Sequence, residues 1–237
     1  MKIIKRLTYS RKFRRLARFL HLSNILRKLY YYFLHPPDGI LTLEVSGITA
    51  QFYIRTPGEL RVLESMGGEQ HILKLLIPRL RPGDVVYDIG GYVGLYTILL
   101  AKVVGQKGQV IAFEPQSQNF EHLLDNLKLN RLTNVRVFQK ALGDREEKRK
   151  LYLGEGTWTA SLVRPFKTET DYTLVELVKG DQFVKAENLS IPKAVKIDVG
   201  GYEYNMIKGL RRTLAHPACE IVCCEVHPPP VTSRNCF

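Results

Sequence analysis

Residues 85–97 read VVYDIGGYVGLYT. A short run of β-branched and aromatic residues ends in Asp88; Gly90 and Gly91 follow, and Gly94 comes after two bulky residues. The apolar run has the length of a strand buried on both faces, and residues 93–104 continue it as a helix with Gly105 as its terminal residue. The pattern recurs downstream. Strand 109–114 leads into helix 117–129, with Ser117 as the expected N-cap and Phe120, Leu123, Leu124 and Leu127 on one face. Strand 134–142 follows, and strand 194–199, helix 202–214 and strand 220–226 complete the series. Upstream, residues 40–55 alternate around Ser46-Gly47 as a hairpin, and residues 69–80 read as a helix ended by proline. The stretch 143–192 is less regular but holds strand-like KLYLG, TASLV and TLVELV. Short apolar strands alternating with helices predict a doubly wound, mostly parallel α/β sheet of Rossmann-like kind.

Ligands of such sheets bind outside the carboxyl ends of the strands. Acids stand there in series: Asp88, then Glu114, then Asp144 after Leu142-Gly143, then Asp198, then Glu225 with His227 two residues on. A carboxylate near a buried edge is costly unless something pairs with it, so the series predicts a ligand rich in donors. Gly90 permits a tight turn, Gly91 lets the backbone approach a ligand, and Gly94 lets the helix pack close to the strand. Glu114 ends the next strand, where a carboxylate can accept two ribose hydroxyls. A dinucleotide fingerprint would ask for glycine where this strand ends in Asp88, and a carboxylate there would repel a pyrophosphate. The same carboxylate suits a cation. The charge sign favours S-adenosylmethionine, with its sulfonium and ammonium groups, over NAD.

Charge is unevenly placed. The net charge is +12, yet ten Lys or Arg and no acid fall within residues 1–35. That arm also spaces apolar residues helically, with Phe13, Leu16, Ala17 and Leu20 in one set and Leu22, Ile25, Leu26, Leu29 and Phe33 in another. It reads as a basic amphipathic arm over 1–37, packed on the domain or resting on an anionic membrane surface. A hairpin-and-helix unit over 38–82 and a ligand-binding domain over 83–237 follow. No apolar run is long enough to span a bilayer, no basic aromatic platform for nucleic acid is evident, and the expectation is a cytoplasmic protein with peripheral membrane contact through the arm. Cys219, Cys223, Cys224 and Cys236 lack zinc-finger spacing and read as small apolar residues in a reducing compartment.

The segments GDVVYDIGGYVGLYT, GQVIAFEPQSQNFEHLLDNLKLN, ALGD, VKIDVGGYEYNMIKG and CCEVHPP occur in that order. Together they resemble the FkbM family of S-adenosylmethionine-dependent methyltransferases. The resemblance implies a class I methyltransferase sheet and transfer of a methyl group to a hydroxyl of a sugar, glycan or natural product. Carried over by position, it places Asp88, Gly90, Gly91, Gly94, Glu114 and Asp144 at the cofactor and Asp198 beside the reactive methyl. Glu203 and His227 join Asp198 as candidate catalytic groups, because an alcohol nucleophile needs a base. Two alternatives stand beside these roles: Asp198 as a helix N-cap, and His227 as a mere strand terminator. Asp198, Glu225 and His227 also form a loose set of metal ligands, but no metal is assigned.

Three departures from the family pattern support a second reading, a degenerate methyltransferase-like protein acting as a binding or assembly subunit. Gly91-Tyr92 stands where the family shows Ala-Asn, and Gly200 where it shows Glu. Strand 220–226 is expected to lack the antiparallel strands that would cover it, leaving an edge for the N-terminal hairpin or a second molecule to cover.

Overall fold

In the computed structural model, residues 36–154, 160–163 and 171–227 are described, so the basic arm falls almost wholly outside them. The chain opens with the hairpin β1 (Ile40–Val45) and β2 (Ile48–Tyr53), turning at Ser46-Gly47. Helix α1 (Pro57–Ser65) follows. Its signal is the capping box TPGE: Thr56 accepts from the Glu59 backbone, and Glu59 accepts from the backbone of Thr56. Helix α2 (Gln70–Leu76) ends in a 3-10 turn at Ile77–Arg79, shorter than the stretch 69–80 suggested, because Pro78 cannot extend it.

The central unit runs β3 (Val85–Ile89), α3 (Leu95–Val104), β4 (Gln109–Phe113), α4 (Ser117–Leu129) and β5 (Val135–Phe138). The chain then leaves the sheet. Strand β6 (Ala141–Gly143) pairs with β9 (Tyr172–Lys179), which also pairs with β7 (Glu147–Leu153), and β7 carries the two-residue β8 (Ala160–Ser161). Helix α5 (Gly180–Ala186) returns to β10 (Ala194–Ile197), then α6 (Glu203–Gly209), α7 (Arg211–Leu214) and β11 (Ile221–Cys224).

The main sheet has five parallel strands in the order β11-β10-β3-β4-β5. The chain moves outward from β3 to β5 and then crosses to the other side of β3, so the topological switch point lies between β3 and β10. Period-two alternation splits the strands between two faces. Val86, Val110, Ala112 and Ala194 pack under α3, α4 and the hairpin. Tyr87, Ile89, Ile111, Phe113, Val195 and Ile197 pack under α5 and α6.

Several expectations need correction. Residues 134–142 are two strands in two sheets, not one. Ser117 is the first helical residue rather than the cap; Gln116 takes that place without a side-chain bond, and the Glu114 carboxylate receives its N–H instead. Helix 202–214 is broken at Leu210. The second piece is capped from outside, by Asp181 accepting from Arg212 N, Thr213 N and Thr213 Oγ1.

The hairpin covers helices, not the sheet edge. Tyr53 N donates to Asn126 Oδ1 of α4 at 2.9 Å, and Gln51 N to Oδ1 of Asn130, its C-cap, at 3.0 Å. Among the described residues β11 is the outer strand of the main sheet, with Val222 46% exposed. No helix among them is long and apolar enough to cross a membrane.

Candidate functional site

A cavity of about 780 Å³ opens at the carboxyl ends of β3, β4 and β10, over the switch point. Asp88, Gly90, Gly91, Glu114, Asp198 and His227 all line it. Two of the sequence candidates face one another across the glycine corner: Asp88 and Glu114 share this one hollow although 26 residues separate them in the chain.

The corner is built by hydrogen bonds. Phe113 O, the last carbonyl of β4, accepts from both Gly90 N (2.9 Å) and Gly91 N (3.0 Å). Glu114 Oε2 accepts from Tyr92 N at 2.8 Å and Oε1 from Gln116 N at 2.9 Å. The Asn119 side chain also bonds this carboxylate, so three donors of the chain fix its orientation toward the cavity. Glu114 is buried, and burial pushes its carboxyl up to about 7. Asp88 is also buried; burial pushes it up to about 6, opposed by Lys196 and by the hydroxyl of Thr97, which donates to Oδ2.

The three glycines do different work. Gly90 has φ +90, and a Cβ there would overlap the Asp198 carbonyl oxygen on the neighbouring strand. Gly94 has φ +97, and a Cβ there would overlap Leu123 Cδ1 of α4, which is the close helix packing expected of it. Gly91 departs from its expected role. Its Cβ direction points inward, 3.3 Å from Leu123 Cδ2, so the missing side chain makes room for α4 rather than for a ligand.

Two family departures have physical counterparts. Tyr92 has φ +48, the left-handed region in which asparagine is at home and tyrosine is strained. Gly200 has φ +57, and a Cβ would lie 2.5 Å from Ala160 O. Ser161 donates to Gly200 O. Strand β8 thus occupies the space above Gly200 that a glutamate side chain would need.

The other end of the cavity gathers the acid–base groups. His227 Nδ1 lies 2.9 Å from Glu203 Oε1, and Nε2 lies 3.7 Å from Glu225 Oε1. Glu203 is buried and also accepts from Gly201 N. Burial works against the imidazolium, but the Glu203 bond and the charges of Asp198 and Glu225 prevail and hold His227 above the ordinary imidazole range. The neighbouring Glu69 carboxylate, and after it burial, push Glu225 up to about 7. One ligand atom each from Asp198, Glu225 and His227 lies within 4.8 Å of the others. Within that grouping Lys196 bonds Asp198, and Glu69 faces Glu225.

Asp144 is not brought to this site. It lies outside the cavity lining, paired with Arg145 at 3.1 Å and Lys208 at 3.0 Å, which hold its carboxyl well below the usual range. Its position after β6 explains this, since β6 belongs to the second sheet and is displaced from the switch point. Sequence reading in turn passed over Glu69 and Lys196, which both line the cavity. The signal for Lys196 was a cation inside the apolar run AVKI; Glu69 had none, because nothing in its segment marks where it folds.

The residues present fit S-adenosylmethionine. A buried, hydrogen-bonded carboxylate faces a glycine turn that side chains could not form, and Asp88, Asp198 and Glu225 stand around the same space. A family model for the methyltransferase FkbM domain matches residues 88–235. A hexuronic acid methyltransferase, AglP of Haloferax volcanii, is 28% identical over 187 residues, covering 78% of this chain and 73% of that protein. Among solved structures, precorrin-6y C5,15-methyltransferase from Geobacter metallireducens aligns with TM-score 0.37 and 20% identity, over 61% of this chain and 56% of that one. A SAM-dependent methyltransferase from Aquifex aeolicus aligns with TM-score 0.31 and 24% identity, over 40% of this chain and 52% of that one. Each structural likeness is partial, and neither bears on activity. The chain belongs to the FkbM methyltransferase family, with S-adenosylmethionine as its methyl donor.

Proposed function

We propose that the chain methylates a hydroxyl of a hexuronic acid or related sugar, free or in a glycan. The observation that carries this reading is the His227–Glu203 pair, 2.9 Å apart at the edge of the donor cavity. A sugar carboxylate is already an anion and needs no base to accept a methyl group. A hydroxyl must lose its proton as the new C–O bond forms. An imidazole oriented by a buried carboxylate meets that need: Nδ1–H donates to Glu203, which leaves Nε2 to take the proton. The name of the AglP relative supports the uronic acid.

The remaining roles follow from chemistry at each atom. Glu114, held in place by Tyr92 N, Gln116 N and the Asn119 side chain, accepts from the ribose hydroxyls. The Gly90–Gly94 turn forms the wall against the nucleoside, with Gly94 acting through its helix packing. Asp88 and Asp198 set the negative potential that favours a cationic donor. When bound, S-adenosylmethionine supplies an electrophilic methyl carbon. His227 must be neutral to act, so the rate rises with pH through its raised pKa and is lost below it.

The test uses radiolabelled S-adenosylmethionine with glycosides of glucuronic and galacturonic acid as acceptors. The expected product carries label that survives mild alkali, as a methyl ether does. A label released by mild alkali marks a methyl ester and contradicts the hydroxyl reading. Binding of the donor without turnover on any hydroxylated acceptor would favour the degenerate, binding-only protein.

A further inference from the structure

Lys196 stands inside β10 between Val195 and Ile197, both fully buried, and is itself only 4% exposed. A structural strand at this place has no need of an ammonium group. An apolar side chain of similar length would pack there without the cost of burying a charge. The charge is instead fully used. Its Nζ lies 3.2 Å from Asp198 Oδ2 and 3.6 Å from Glu69 Oε2, and 4.7 Å from the centre of the Tyr96 ring. Asp88 is its register partner on β3. The groups facing it are therefore Asp88 from β3, Tyr96 from α3, Glu69 from the turn before α2, Asp198 at the end of its own strand, and Cys223 from β11, with Arg79 beyond Cys223. Glu225 joins through Glu69.

We infer that Lys196 is a positioning residue of the donor site: its ammonium ties the Glu69 turn to Asp198 across the switch point and supplies the counter-charge to Asp88 beside it. This rests on reading the cavity as the donor site. Four carboxylates, Glu69, Asp88, Asp198 and Glu225, line one hollow, and Lys196 supplies a counter-charge among them. Burial disfavours the ammonium, but Asp198, Glu69 and Asp88 prevail and hold its pKa above the ordinary lysine range, so the cation persists at neutral pH. An opposite charge within about 4–6 Å moves a carboxylate by about one to three pH units. Removing Lys196 lets Glu69 and Asp88, whose carboxyls it holds down, take up protons at higher pH, and a neutral acid no longer attracts a cationic amine.

The test is calorimetric titration of the full chain with S-adenosylhomocysteine between about pH 5 and pH 9. Wild-type affinity is expected to fall as pH drops through the range set by Glu114, about 7, and Asp88, about 6. In K196M the part of that fall set by Asp88 should move upward by about one pH unit or more, while the part set by Glu114, which does not face Lys196, stays. K196R keeps the charge and should follow the wild type. If K196M does not fold, the double variant K196M/E69Q, which removes one of the carboxylates left unpaired, takes its place with the same expectation. A folded K196M, or the double variant, that follows the wild-type curve overturns the inference, and so does a folded K196R that shifts as K196M does. A wild type that binds at no pH sinks the donor-site reading and this inference with it, an outcome distinct from the others.

Discussion

His227→Gln is expected to lower kcat by about 10²–10⁴-fold while S-adenosylhomocysteine binds within about twofold of wild type. Glutamine can still reach Glu203 through its amide, so the carboxylate pair is not left with an empty partner. What it lacks is a titratable acceptor at the Nε2 position. The pH profile separates this from a packing defect. In the wild type, kcat rises with pH through the raised pKa of His227, because the neutral imidazole is the active form. In the variant that limb should vanish and leave a slow, nearly flat rate. Stopped-time assays with labelled donor give kcat, and calorimetry gives the affinity. A variant that loses donor binding but keeps its pH limb would place His227 in the donor site rather than at the acceptor.

Gly90→Ala should have an effect of similar size on a different quantity. A methyl group there would overlap the Asp198 carbonyl, and the backbone has φ +90, which alanine adopts only under strain. Asp198 cannot retreat easily, since its N–H donates to Ile89 O at 2.9 Å. The substitution therefore pries β10 from β3 at the switch point. We expect a loss of about 2–5 kcal/mol in stability, from backbone strain and overpacking together, and at least about a hundredfold weaker donor binding. Gly91→Ala is the control. Its added carbon is tight against the flexible end of Leu123, at 3.3 Å, and at ordinary contact distance from Thr97 Oγ1 and Ala112 Cβ, so the cost should stay under about 1.5 kcal/mol with binding kept. Chemical denaturation and calorimetry measure both. Equal effects at Gly90 and Gly91 would contradict this description of the turn.

The main sheet is legible because burial on both faces forces short apolar runs, and because four of its five runs stop at an acid. VVYDIGG needs little context: the strand, the turn and the acid are adjacent in sequence. Glu114 was legible for the same reason, lying at the end of the next such run. Asp144 misled because it too follows a strand and a glycine, yet its strand pairs with β9 in another sheet. Nothing local distinguishes a strand that stays from one that leaves. Gly91 was given a ligand role when Leu123, distant in sequence, decides it. The break at Leu210 depends on Asp181, some thirty residues upstream, and so could not be seen in the helix itself. Glu69 reaches the site because α1 and α2 pack into the core shared by the hairpin and α3, a placement set by tertiary contacts. Lys196 was visible as an anomaly, a cation in AVKI, but its partners were not.

The account depends on carboxylates at the ends of neighbouring parallel strands meeting a single nucleoside. A crystal structure grown with S-adenosylhomocysteine tests this most directly. The account predicts the ribose hydroxyls on the two oxygens of Glu114, the thioether sulfur between the Gly90 turn and Asp198, and His227 Nε2 facing the open space beyond the sulfur. Ligand density elsewhere, or a Glu114 carboxylate turned away from the ribose, would contradict it.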